Sequence, residues 1–291
     1  MLIWGTRLLR WIKGYLRFRK KGAARDLPDV VSYDGYFFDL DGTVFLGDRL
    51  LPGVKETIDL LRTKGKKILF LSNTTIRTRR ECQIRLQKLG LQARLDEIVT
   101  AAFAAAVYMR EQQPDPTVLV VGEPALASEL DEQGVRMTTR PEQTTHVLVG
   151  MDMKFDYAKL HRAMKAVRGG AELIAANPDP NCPVAGDIIP DTWAMVKAIE
   201  AASGVAPSAI VGKPSQFYAS KVLEWCGLRG EHCLMIGDRL ETDILFGHTG
   251  GMRTALVMTG VTTKREAELS PIRPDYVWHS MERFVELARA L

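Results

Sequence analysis

Short apolar runs recur along this chain, and a stretch with helical spacing follows most of them. The runs cover residues 36–40, 67–71, 118–121, 147–149, 173–175, 210–211, 233–236 and 254–257. They lack the alternation of strands with one wet face, so each reads as a strand buried on both faces of a parallel sheet. Helical spacing at 54–64, 79–89, 157–167, 193–202, 217–226 and 243–248 supplies the layers that cover such a sheet, with Gly90 at a helix stop. The pattern predicts an α/β fold built on a doubly wound, Rossmann-like parallel sheet. No internal repeat is visible.

In sheets of this kind ligands bind outside the carboxyl ends of the strands, where the winding reverses. The first run ends in Asp39-Leu40-Asp41-Gly42-Thr43 and the second in Ser72-Asn73-Thr74. The run at 210–211 leads into Gly212-Lys213-Pro214, and that at 233–236 into Gly237-Asp238-Arg239, with Asp243 opening the next helix. Four strand ends thus bring four carboxylates, a hydroxyl, an amide and a lysine to one rim. Asp39 and Asp41, two apart on an extended strand, are expected to face the same side. Carboxylates so close stay ionised only with positive charge between them. With Asp238 they suit Mg²⁺, which takes one or two carboxylates alongside water and phosphate oxygens.

Lys213 would hold a phosphate as a point charge, and Ser72 with nearby backbone amides would hold its other oxygens. The set fits phosphoryl transfer, in which an aspartate can itself be the nucleophile. Taken singly, each piece has a plainer reading. Residues 39–42 read as a turn with a helix cap, 72–74 as ordinary loop chemistry, Lys213 as a solvated turn lysine, and 238–243 as acids favouring a helix start. Their order and placement at four strand ends favour the joint reading.

As a set these motifs resemble the haloacid dehalogenase-like superfamily, in particular its phosphatases with a large α/β cap inserted between the second and third motifs. The match includes Leu71-Ser72-Asn73, Gly212-Lys213-Pro214-Ser215, the segment from Gly237 to Ile244, Gly53, Asn177-Pro178-Asp179 and Thr259-Gly260-Val261. The resemblance implies that Asp39 is the nucleophile and a Mg²⁺ ligand. Asp41 would be the general acid/base, its backbone carbonyl also binding the metal. Ser72 and Asn73 would donate to phosphoryl oxygens, and Lys213 would clamp Asp39 and phosphate. Asp238 would bind the metal directly, and Asp243 would orient Lys213 or a metal-bound water.

Asp41 and Ser72 are 31 residues apart, too few for an inserted domain, whereas the 141 residues from Ser72 to Lys213 hold one. The expected organisation is a leader at 1–30, a catalytic core at 31–113 and 209–291, and an α/β cap at 114–208. The resemblance implies a Mg²⁺-dependent phosphomonoester hydrolase acting through an aspartyl-phosphate. The cap loop at 177–190 would choose the alcohol, with Asp179 bonding a hydroxyl or simply closing an Asx-turn. Pyridoxal-phosphate phosphatases carry a His where this chain has Cys182. Polyol phosphates, phosphoglycolate, sugar phosphates and nucleoside monophosphates stay open as substrates. A phosphotransferase, or a non-catalytic ligand-binding protein on the same fold, is the alternative.

Residues 1–25 hold eight bases and no acid, so the rest of the chain carries 31 bases against 35 acids, which disfavours a nucleic-acid partner. On a helical wheel Trp4, Leu8, Trp11, Ile12, Tyr15 and Phe18 oppose a basic face that includes Arg7, Arg10, Lys13, Arg17 and Lys20. That composition suits a helix lying at an anionic membrane surface through residues 1–22. A helix docked on this protein or a partner, a transit peptide, and a basic tail are the other readings. Four scattered cysteines without a C-x-x-C pair indicate reduced thiols in a cytoplasmic protein. The five histidines form no ligand cluster. The resemblance also implies a homodimer through the cap.

Overall fold

The computed structural model describes residues 29–112, 116–184 and 187–290. Of residues 1–32 it describes only the turn at 29–32, closed by the Ser32 N–H donating to the Asp29 carbonyl at 2.9 Å. The basic leader lies outside the described residues.

The core opens with β1 (Gly35–Asp39), a two-stranded flap of β2 (Phe45–Leu46) and β3 (Arg49–Leu50), then β4 (Lys67–Ser72) and β5 (Ile98–Thr100). The cap holds β6 (Thr117–Val121), β7 (Arg136–Met137), β8 (His146–Val149), β9 (Glu172–Ala175), an antiparallel hairpin of β10 (Asn181–Val184) and β11 (Asp187–Pro190), and β12 (Ala209–Ile210). The chain then returns to the core as β13 (Cys233–Gly237), β14 (Arg253–Val257) and β15 (Tyr276–Trp278).

The core sheet is wholly parallel, in the order β15-β14-β13-β1-β4-β5. From β1 the chain winds outward through β4 and β5, and from β13 it winds the other way through β14 and β15. The reversal therefore lies between β1 and β13, which pair from Gly35 with Cys233 to Phe38 with Ile236. All five residues of β1 are buried, as a strand covered on both faces must be. The cap sheet is also parallel, in the order β12-β9-β8-β6-β7. This is the expected doubly wound core with an inserted α/β cap.

Two features depart from the sequence reading. The helix Ala101–Gln112 lies outside the stretches with helical spacing, and it carries no apolar stripe. It needs none: Ala101, Ala102, Ala104, Ala105 and Ala106 are all buried. Ala102, Ala104, Ala105 and Ala106 join one apolar cluster containing Leu71 and Val99 of the core sheet and Val118 and Leu148 of the cap sheet. A helix apolar all round belongs inside a protein. The second departure concerns the run at 210–211, expected in the core. Ala209 pairs with Ile174 of β9, and the Ser208 and Val211 amides donate to the Leu173 and Ala175 carbonyls. The strand is thus the edge of the cap sheet, and the return to the core falls after Ile210 rather than at 208. No helix among the described residues is long and apolar enough to cross a membrane.

Candidate active site

Asp39 closes β1 and Asp238 follows β13, so the winding reversal sets two carboxylates on neighbouring strand ends. Asp243 arrives differently from the expected helix start. Leu240–Ile244 forms a single π-helical turn leading into the short helix Leu245–Thr249, a wider turn than an α-helix and one frequent at functional sites. It folds Asp243 back over Gly237, where a Cβ would lie 2.2 Å from the Asp243 Cβ.

Lys213 stands at the centre. Its buried Nζ donates to Asp39 Oδ1 at 2.6 Å, Asp243 Oδ1 at 2.7 Å and the Leu71 carbonyl at 3.3 Å. Burial opposes its charge, but the Asp243 and Asp39 carboxylates together hold the ammonium above its usual range. Asp243 is secured in turn, accepting from the Arg239 N–H at 3.0 Å through Oδ2.

Asp39, Asp238 and Asp243 each offer an oxygen within 4.8 Å of the others. Asp238 Oδ2 accepts from the Val261 N–H at 2.6 Å, whereas Oδ1 is buried with no hydrogen-bond partner. Burial pushes the Asp238 carboxyl up to about 6, helped by the Asp243 charge. Burial likewise raises Asp39 well above the carboxylate range, against the pull of Lys213. Three carboxylates facing one ammonium leave excess negative charge and an orphaned oxygen, which a divalent cation taking oxygen ligands relieves. Two bare backbones keep this corner open. Gly42 has φ +90°, and a Cβ on it would stand 2.7 Å from Asp238 Oδ2; one on Gly260 would stand 1.9 Å away. The residues present fit Mg²⁺.

Asp41 parts from Asp39. The strand stops at Asp39, so its two-residue period does not extend to Asp41. The Asp41 side chain is 61% exposed, with Arg85 Nη1 3.5 Å from its Oδ1. Asp41, Ser72, Thr74, Arg77 and Arg85 line one small cavity. The Ser72 hydroxyl accepts from the Thr74 N–H at 3.1 Å, which leaves its own proton for a ligand.

Asn73 is placed otherwise than expected. Its Nδ2 donates to Asp179 Oδ2 at 3.0 Å and to the Lys213 carbonyl at 3.1 Å, while its Oδ1 accepts from the Lys213 N–H at 2.8 Å. The amide side chain therefore braces the Lys213 backbone instead of facing a phosphoryl oxygen. Asn177, to which the sequence assigned no role, donates to the Asn73 carbonyl at 2.7 Å, so the cap loop grips Asn73 from two sides. Asp179 Oδ1 lies 4.0 Å from Arg239, and burial pushes its carboxyl up to about 6. Arg239 follows Asp238 directly in the sequence, but no local pattern joins it to Asp179, 60 residues away.

Residues 36–136 match the haloacid dehalogenase-like hydrolase family, and residues 210–284 match a family described as HAD-hydrolase-like. The sugar-phosphatase AraL of Bacillus subtilis is 35% identical over 266 residues, covering 91% of this chain and 96% of that one. An acid sugar phosphatase of Staphylococcus aureus is 33% identical over 258 residues, covering 88% and 99%. Among solved structures, a p-nitrophenyl phosphatase from Archaeoglobus fulgidus superposes with a TM-score of 0.83 at 32% identity, over 91% of this chain and all of its own. A glycerol phosphate phosphatase from Mycobacterium tuberculosis in complex with magnesium gives 0.81 at 31% identity, over 89% of this chain and 78% of its own. The chain belongs to the haloacid dehalogenase-like hydrolases. Within that family it is a phosphatase.

Proposed function

We propose that this phosphatase hydrolyses the monophosphate ester of a small polyol or sugar, with Mg²⁺ as cofactor and Asp39 as nucleophile. The observation that carries the reading is the buried Lys213 ammonium 2.6 Å from Asp39, beside the unpartnered Asp238 oxygen. Lys213 holds one Asp39 oxygen, which leaves the other to attack phosphorus. The bond from phosphorus to the alcohol oxygen breaks as the aspartyl-phosphate forms. Asp41 gives a proton to the departing oxygen, then takes one from the water that splits the acyl phosphate, releasing phosphate and restoring Asp39. Ser72 and Lys213 hold phosphoryl oxygens, and Asp243 keeps the lysine in place. Asp39, the Asp41 main-chain carbonyl and Asp238 would hold Mg²⁺, which supplies charge neutralisation between carboxylate and phosphoryl group. Asp179 and Cys182, on the cap loop, contact the alcohol.

The sugar and glycerol phosphate phosphatases among the relatives support a polyol or sugar ester. A phosphate-release panel with Mg²⁺, ranked by kcat/KM, tests it. Best turnover of phosphoglycolate or a nucleoside monophosphate would overturn the substrate class, and transfer to added alcohols in place of water would favour a phosphotransferase.

Two further contacts are proposed. Residues 1–22 bind anionic membrane surfaces, so the full chain sediments with anionic vesicles and a chain lacking residues 1–25 does not. A second copy docks on the cap, where Met153 and Tyr157 are 63% and 83% exposed; sedimentation equilibrium reads the dimer.

A further inference from the structure

We propose that Arg85 is a positioning residue for Asp41, tying the acid/base to the flap. The inference rests on the role given to Asp41 above. Arg85 lies on the helix Arg79–Lys88, whose start is set by a reciprocal cap between Thr78 and Glu81. Its guanidinium carbon sits 4.0 Å from the centre of the Phe45 ring, and Nη2 donates to the Gly47 carbonyl at 3.0 Å. Nη1 is the atom 3.5 Å from Asp41 Oδ1. Phe45 is buried, and its carbonyl accepts from the Gly42 N–H at 2.8 Å, so the flap folds back onto the segment that carries Asp41.

The arginine is the fixed member of this pair. Its side chain is 22% exposed against 61% for Asp41, and the ring and the carbonyl hold it on two sides. An ion pair so exposed adds little to stability. It acts instead on orientation: a carboxylate that must pass a proton across about 2.6–3.2 Å is effective only while aimed at the leaving oxygen. A planar fork can stack on Phe45 while bonding Gly47 and Asp41, whereas a lysine ammonium cannot reach all three. The alternative, an arginine merely covering a helix face, does not account for two contacts to the flap and one to the acid/base.

Leaving-group dependence separates the two. The ratio kcat/KM covers the steps through transfer to Asp39, where the departing oxygen is protonated. An aryl ester such as p-nitrophenyl phosphate leaves as a stable phenolate and needs little of that proton, while an alkyl phosphate needs it. For Arg85→Gln we expect kcat/KM on the best alkyl phosphate of the panel to fall about 10- to 100-fold, against less than about threefold on p-nitrophenyl phosphate. Arg85→Lys should recover part of the loss, and Tm should stay close to wild type in both. Asp41→Asn should show the same selectivity, larger. If Asp41→Asn is selective and Arg85→Gln lowers both substrates equally, or neither, the positioning role is overturned. If Asp41→Asn is itself unselective, the acid/base reading falls, and the proposal with it.

Discussion

Lys213 faces Asp39 and Asp243 at 2.6 and 2.7 Å with no water-exposed surface to share its charge. Lys213→Met keeps the unbranched stem out to Cε and deletes the ammonium, so two buried carboxylates lose their counter-ion together. The expected outcome is a fall in kcat/KM of at least about 10³-fold, since fixed charge in a buried site carries much of the barrier lowering. Tm should fall as well, because removing one partner of a buried pair costs about 3–5 kcal/mol. Asp39→Asn should abolish turnover while leaving the fold intact by circular dichroism; appreciable turnover in this variant would disprove the nucleophile. Asn73 predicts a gentler effect. Asn73→Ala removes two hydrogen bonds to the Lys213 backbone and one to Asp179, and each net bond is worth about 0.5–1.5 kcal/mol. It should lower kcat more than it raises KM. An unchanged kcat would show that the brace is not needed.

The strand ends could be read from the sequence because each puts its chemistry at the end of its own apolar run, as Asp39 closes β1 and Asp238 follows β13. What could not be read depends on partners far along the chain. Asn73 finds Lys213 across 140 residues and Asn177 across 104, and no local pattern records such a meeting. Arg85 and Asp41, 44 apart, were equally silent. The helix Ala101–Gln112 shows no period to detect because residues 101–109 are all buried or half-buried. That burial also makes a prediction. Ala105→Leu adds three carbons where both sheets meet and should destabilise by about 1–3 kcal/mol, read as a lower denaturation midpoint with catalysis intact at low temperature. On β8, burial holds the His146 imidazole below its usual pKa, against the pull of Glu172. Above pH ~6.5 folded and unfolded chains are both neutral there. As pH falls through that value the unfolded chain takes a proton the folded one resists, so stability drops by up to ~1.4 kcal/mol per pH unit. Chemical denaturation from pH 8 to 5.5 should show His146→Asn losing less than wild type.

At the scale of the molecule, the cluster of Asp39, Asp238 and Asp243 couples metal occupancy to folding. A cation bound only by the folded chain raises Tm with its concentration. Mg²⁺ should therefore raise Tm, and Asp238→Ala should erase the rise. Chelation should abolish turnover, with Mg²⁺ restoring it better than Ca²⁺, whose coordination is larger and looser. Full activity in excess chelator would refute the metal's role.

The place where the chain leaves the cap bears on engineering. Ala209–Ile210 is an edge strand of the cap sheet, and Lys213 comes three residues later, braced by an Asn73 that the cap loop also holds. Grafting a relative's cap with a splice at 208 would leave the native edge strand, and the lysine three residues beyond it, to pair with a foreign sheet. A chimera cut after Pro214 moves the lysine together with the sheet that delivers it. Donor caps should then be chosen for how they seat that one ammonium before they are chosen for substrate.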